Sequence, residues 1–282
     1  MMEHSGRLTC QQTGLSLVRS NGPCAYRIAV TSRGPLHVFE RSVTPSGWVE
    51  YNPQGDDVVV PWGENPAWSR WDTPGRTLYA AANREAAFAE VLQHHRQSID
   101  HAHIAEMSSN FPGVEGQQYL NAVEEELEAI CSMKIGCVPS SWRDARLIYS
   151  LKLPGNGWWV DVEHPDTLAV LNDAVKLRLA QVGISQPIDR GLVLGGARRA
   201  TATIALYLRE LVLFDGSLPL GVQWESKLGY GTNWAVWLRK VDDGVAEDAS
   251  GDGVVCLDSG NEFRQDDPEL LRVAKHFNVR IF

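Results

Sequence analysis

Hydrophobic positions along this chain form short strand-like runs interleaved with a few helical stripes. Ala25 to Val30 reads as a short strand and contains Tyr26 and Arg27. Residues 44 to 76 hold Pro45, Pro53, Pro61, Pro66 and Pro74 among several glycines and tryptophans. That density excludes a long helix and predicts loops with short extended pieces. Thr77 to Ala81 is a second short strand. Asn83 then caps a helix reaching about Arg96, with Glu85 in its first turn. Phe88, Val91, Leu92 and His95 recur at helical spacing and give that helix a buried stripe.

Further along, Leu120, Val123, Leu127 and Ile130 mark one face of an acidic helix, read as part of an insertion at about 99–145. Arg146 to Leu153 and Trp158 to Val162 are predicted strands. Pro165 to Val182 is predicted as one helix, with Leu168, Leu171, Val175 and Leu179 as its stripe and Gly183 as its stop. Ala200 to Leu211 is a further helix. Leu220 to Glu225 and Asn233 to Arg239 are strands around Gly229-Tyr230-Gly231. Asp242 to Gly253 reads as an acidic loop, followed by a helix over Pro268 to Phe277 and a last strand. Strands and helices mix without strict alternation, so an α+β fold is expected. Residues 1–22 read as a polar, poorly ordered leader, and 23–282 as a single domain.

Composition narrows the function classes. The 282 residues carry a formal charge of −9, with 44% hydrophobic and 22% charged residues. That is a globular composition, and its acidity disfavours nucleic-acid binding. No apolar stretch suggests a membrane span or secretory signal. The five cysteines show no CxxC and fit a reducing, cytoplasmic setting.

Several chemical-looking motifs are incomplete. Asp248, Ser250, Asp252 and Gly253 start like a calcium loop, but Ser259 stands where a bidentate Glu is needed. His94, His95, His101 and His103 match no zinc pattern, so no metal is expected. Gly191 to Gly196 lacks the Lys-Ser/Thr of a phosphate loop. Even so, Gly195, Gly196, Arg198 and Arg199 precede a helix, where an anion is favoured, although a loop with solvated arginines fits the same residues equally well.

Glu90 is the most informative residue. It lies opposite Phe88 and Leu92 on the helical wheel, beside Ala86 and Ala89. A carboxylate on an alanine face can point into a cleft, although an ordinary solvated glutamate fits the same periodicity. Around it stand Tyr26-Arg27, Ser69-Arg70-Trp71, Leu78-Tyr79-Ala80-Ala81, Ala86 to Val91, and Gly221 to Lys227 with Ser226. Together these resemble the RES-domain family, named for its Arg, Glu and Ser, over about Tyr26 to Glu90 and Arg146 to Arg239.

The resemblance implies an ADP-ribosyltransferase-like split mixed sheet with flanking helices and a helical insertion. It implies NAD as substrate and cleavage of the nicotinamide–ribose bond by hydrolysis or phosphorolysis, as in a toxin of a toxin–antitoxin system. It also implies an Xre-type antitoxin partner. Arg27 and Arg70 would hold the pyrophosphate, and Tyr26 and Tyr79 would pack on the nicotinamide or its ribose. Glu90 would be catalytic, and Ser226 would bond the ligand or position Glu90. Arg76 is an alternative to Arg70, since Trp68-Ser69 stands where the family often has Gly-Gly. Protein mono-ADP-ribosylation from the same site, or a non-enzymatic binding module, remain alternatives, and self-association is left open.

Overall fold

The computed structural model describes residues 6–52, 55–96, 136–245 and 252–282, together with Gln118. The strands are β1 (Arg7–Thr9), β2 (Ser16–Arg19), β3 (Cys24–Val30), β4 (Glu40–Thr44), β5 (Gly47–Glu50), β6 (Val58–Pro61) and β7 (Gly75–Ala81). They continue with β8 (Cys137–Val138), β9 (Arg146–Lys152), β10 (Trp158–Asp161), β11 (Gly221–Glu225), β12 (Thr232–Trp237), β13 (Val255–Cys256) and β14 (Arg280–Ile281). The helices are α1 (Arg84–Leu92), α2 (Ser140–Asp144), α3 (Pro165–Ala174), α4 (Lys176–Gln181), α5 (Arg190–Leu194), α6 (Arg198–Arg209), α7 (Arg239–Asp242) and α8 (Pro268–Phe277). The fold is α+β, built on a curled mixed sheet ordered β1-β2-β10-β11-β12-β7-β3-β9-β13. A β4-β5-β6 meander hangs from the start of β7.

Only β10 and β11 run parallel within that sheet, among the described residues. A parallel pair needs a crossover, and α3 to α6 supply it. Their apolar side chains, among them Leu171, Val175, Leu179, Val193 and Ile204, bury against Leu17, Val160, Val222 and Ala235. Helices α1 and α8 form a second group under β3 and β9, with Phe88, Leu92, Ile148, Leu270, Val273 and Phe277 in one cluster. Burying Phe88 or Leu92 stabilises the fold by about 1.5–3 kcal/mol each. Alternate residues of β7 and β12, including Leu78, Trp234 and Val236, form a third cluster on the opposite face.

Four expectations are corrected. Within the expected leader, β1 and β2 join the sheet through β10, and Leu15 and Leu17 are fully buried. A polar average over the whole leader hides a strand only four residues long. The predicted helix over 165–182 breaks at Val175 (φ −110°, ψ 1°), a β-branched and fully buried residue of low helix propensity. Arg239 opens α7 instead of ending a strand. The described end of the expected insertion, residues 136–145, belongs to the main body: β8 pairs with β14 and Val138 is buried. The predicted acidic helix lies outside the described residues. Among the described residues, no helix is long and apolar enough to cross a membrane.

Candidate active site

The sheet splits between β3 and β7. These strands share one register pair, Tyr26 with Ala81, whereas β3 pairs with β9 through seven residues and β7 with β12 through five. Over the split, on the face carrying both helical groups, lies a cleft of about 510 Å³. That volume is within the usual range for small-molecule sites.

One wall is α1. Asn83 starts it by accepting a hydrogen bond from the Ala86 N–H at 2.8 Å. Ala86, Ala87 and Ala89 are all buried, so the helix sits close to its neighbours and Glu90 lines the cleft. Glu90 Oε1 accepts from Asn233 Nδ2 at 3.0 Å and from Ser226 Oγ at 3.4 Å. Its Oε2 accepts from Gln93 Nε2 at 3.0 Å. Ser226 Oγ itself accepts the Leu228 N–H at 3.2 Å. All three donors to the carboxylate are neutral. They fix its orientation without neutralising its charge.

The opposite wall is the segment before β7. Tyr79 Oη donates to Asp72 Oδ1 at 2.9 Å and accepts the Trp71 N–H at 2.8 Å. Asp72 Oδ2 accepts from Ser69 N–H and from Arg41 Nε, both at 3.0 Å. Burial raises the Asp72 pKa above the usual carboxylate value, with Arg41 acting against it. Burial and the Asp72 charge push Tyr79 well above its ordinary value, so its hydroxyl keeps its proton and donates. These bonds staple the Ser69–Asp72 turn and hold Arg70 over the cleft, where it is 8% exposed.

Arg70 Nε is buried without a hydrogen-bond partner, and so is Arg198 Nη1 at the start of α6. Both residues line the cleft, and neither has an ion pair among the described residues. Burial, then the neighbouring Arg198, lowers the Arg70 pKa. Burial, then Arg70 and Arg198, lowers that of Lys227. An acidic chain thus concentrates cations at one cleft, which favours an anionic ligand. Tyr26, Trp68 and Trp224 supply aromatic walls.

The sequence-derived residues divide as follows. Glu90, Arg70, Tyr26, Tyr79 and Arg27 line the cleft, while Ser226 lies behind Glu90 and is buried. Tyr79 is tied into the 69–72 turn through its hydroxyl and offers the cleft its ring. Arg27 bridges the split: its guanidinium donates to the Tyr79 carbonyl at 3.3 Å and the His37 carbonyl at 3.0 Å. Burial lowers its pKa to about 10. Arg76 stands apart, paired with Glu40 and Asp242.

Asn233, Gln93 and Arg198 join the site without having been assigned to it. Asn is disfavoured within strands, so an Asn between Thr232 and Trp234 in β12 was the available signal. Asp252 caps α7 through the Lys240 and Val241 N–H groups, while Asp248 and Ser250 lie outside the described residues. Among the described residues no cluster of three or more His, Cys, Asp or Glu is arranged to hold a metal. No protein-family model, curated protein or solved structure matches this chain.

Proposed function

We propose that this chain binds NAD in the split-sheet cleft and cleaves its nicotinamide–ribose bond, using a RES-type, ADP-ribosyltransferase-like fold. One observation carries the reading. A carboxylate held by three neutral donors shares a cleft with two guanidinium groups that have no ion-pair partner among the described residues.

In the reaction the bond from ribose C1′ to the pyridine nitrogen breaks, and its electron pair leaves with nicotinamide, which departs neutral. The ribose becomes oxocarbenium-like, as in glycoside hydrolysis. Glu90, held in place by Ser226, Asn233 and Gln93, stabilises that developing cation electrostatically. Water then attacks C1′ and loses a proton, giving ADP-ribose; phosphate as acceptor gives the 1-phosphate ester instead. Ser226, Asn233 and Gln93 are positioning residues that hold Glu90 for this step.

The test is nicotinamide release from NAD, with and without phosphate, by the wild type and Glu90→Gln. The reading expects release by the wild type and its near loss in the variant; equally little release by both refutes it. Labelled NAD with cell lysate reports transfer to protein as the alternative acceptor. A toxic role and an Xre-type partner rest on the RES resemblance. Growth arrest by the wild type but not by Glu90→Gln is the expected outcome for the former.

A further inference from the structure

Helix α6 begins with charge of the wrong sign. Its first two residues are Arg198 and Arg199, its first turn has no acidic residue, and its N-cap Ala197 makes no side-chain bond. The contrast with α1, α3 and α8 is direct. Each has an acidic residue in the first turn and a side-chain cap: Glu85 with Asn83, Asp166 with His164, Glu269 with Asp267. Cations at a helix N-terminus oppose the positive end of its dipole. Arg199 has a local use, since its guanidinium donates to the Gly63 carbonyl and its N–H to Asn65. Arg198 has none: Nη1 is buried and unpartnered, and the side chain lines the cleft.

The second observation is independent and lies on another element. Arg70 is nine-tenths buried, lines the same cleft, and has Nε unpartnered. Two like charges therefore line one cleft, each with a buried nitrogen lacking a partner, and neither is ion-paired among the described residues. Local conflicts of this kind are expected at functional sites, where a ligand can supply the missing partner.

We propose that Arg198 and Arg70 form a two-armed clamp for the diphosphate of a nucleoside diphosphate ester, with Arg198 as the second arm in place of Arg27. This rests on the NAD reading and assigns its anionic subsite. Two guanidinium forks match two linked phosphates, each through paired N–H donors. The start of α6 adds its dipole to the same anion. Arg27 suits the role less well. It also lines the cleft and its Nε is also buried without a partner, but its Nη atoms already serve the Tyr79 and His37 carbonyls. Trp68 and Trp224 leave apolar walls for the rest of the nucleotide.

Calorimetry on the full chain tests this with ADP-ribose, AMP and inorganic phosphate as probes. The wild type is expected to bind ADP-ribose at least about tenfold tighter than AMP. Arg70→Met and Arg198→Met should each weaken ADP-ribose by about 10- to 100-fold, the loss typical of a hydrogen bond to a charged group. Arg198→Lys should fall between, since it keeps charge but loses the fork. Arg198→Met should also melt at or above the wild-type temperature, because repulsion and the dipole conflict are relieved. A misfolded variant would melt lower.

Unchanged ADP-ribose affinity in Arg198→Met, equal affinity for AMP and ADP-ribose, or no wild-type binding overturns the clamp. ADP-ribose binding needs no bond cleavage, so the two readings fail separately. An intact clamp without NAD turnover defeats only the cleavage. Turnover with unchanged KM in Arg198→Met defeats only the clamp.

Discussion

Two groups of arginines flank β7 and differ in one respect. At its start, Arg76 pairs with Asp242 at 3.2 Å and Glu40 at 2.9 Å, and Arg209 pairs with Asp242 while donating to Thr73 and the Pro74 carbonyl. Arg239 donates to the Pro219 and Arg209 carbonyls. Gly75, at φ +95°, lets the chain pass so close to Asp242 that a Cβ there would strike its carboxylate. This group is saturated and joins β7, α6 and α7. At the cleft, Arg70 and Arg198 have the same chemistry and comparable shielding, yet each keeps an orphaned nitrogen. What separates the two groups is internal pairing: carboxylates and carbonyls hold the guanidiniums at the start of β7, whereas no ion pair holds Arg70 or Arg198 among the described residues.

The contrast can be broken by mutation. The largest effect is expected for Glu90→Gln, which should slow nicotinamide release by about 10²- to 10⁴-fold while barely moving the melting temperature. Asp242→Ala should do the reverse. It strands Arg76 and Arg209, so denaturant unfolding should show a loss of about 3 kcal/mol with ADP-ribose affinity unchanged. A change in affinity there would mean that the two groups are coupled.

Smaller effects sharpen the picture around Glu90. Asn233→Ala removes a 3.0 Å bond to the carboxylate and should lower kcat about tenfold or more with KM nearly constant. Ser226→Ala removes a 3.4 Å bond and should cost about three- to tenfold in kcat. Steady-state kinetics on both variants checks the order; a larger effect at Ser226 would reverse the assigned weights.

Much of this arrangement was legible in the residue pattern. Asn83, Phe88 and Leu92 were enough to locate α1, although it ends at Leu92 and not near Arg96, and Val91, expected in the buried stripe with His95, lines the cleft beside Glu90. The helix over Pro268 to Phe277 was readable because its local signals agree: Asp267 caps it, Pro268 opens it and its apolar face is regular. What stayed hidden depends on long-range pairing. The split between β3 and β7 is a missing set of rungs between strands far apart in sequence, and no local signal encodes it. Arg198 carried a visible clue in the glycines before it, but the cleft it enters is built from loop 66–70 and α1. Tyr26 and Arg27 are neighbours on β3 and both line the cleft, but the bonds from the Arg27 Nη atoms to the Tyr79 and His37 carbonyls have no local signal.

A crystal structure of Glu90→Gln soaked with NAD tests the central claim most directly. The account predicts nicotinamide ribose against residue 90 and the diphosphate between Arg70 and Arg198. A dinucleotide bound outside the split sheet, or one whose diphosphate sits on Arg27 with Arg198 untouched, would contradict it.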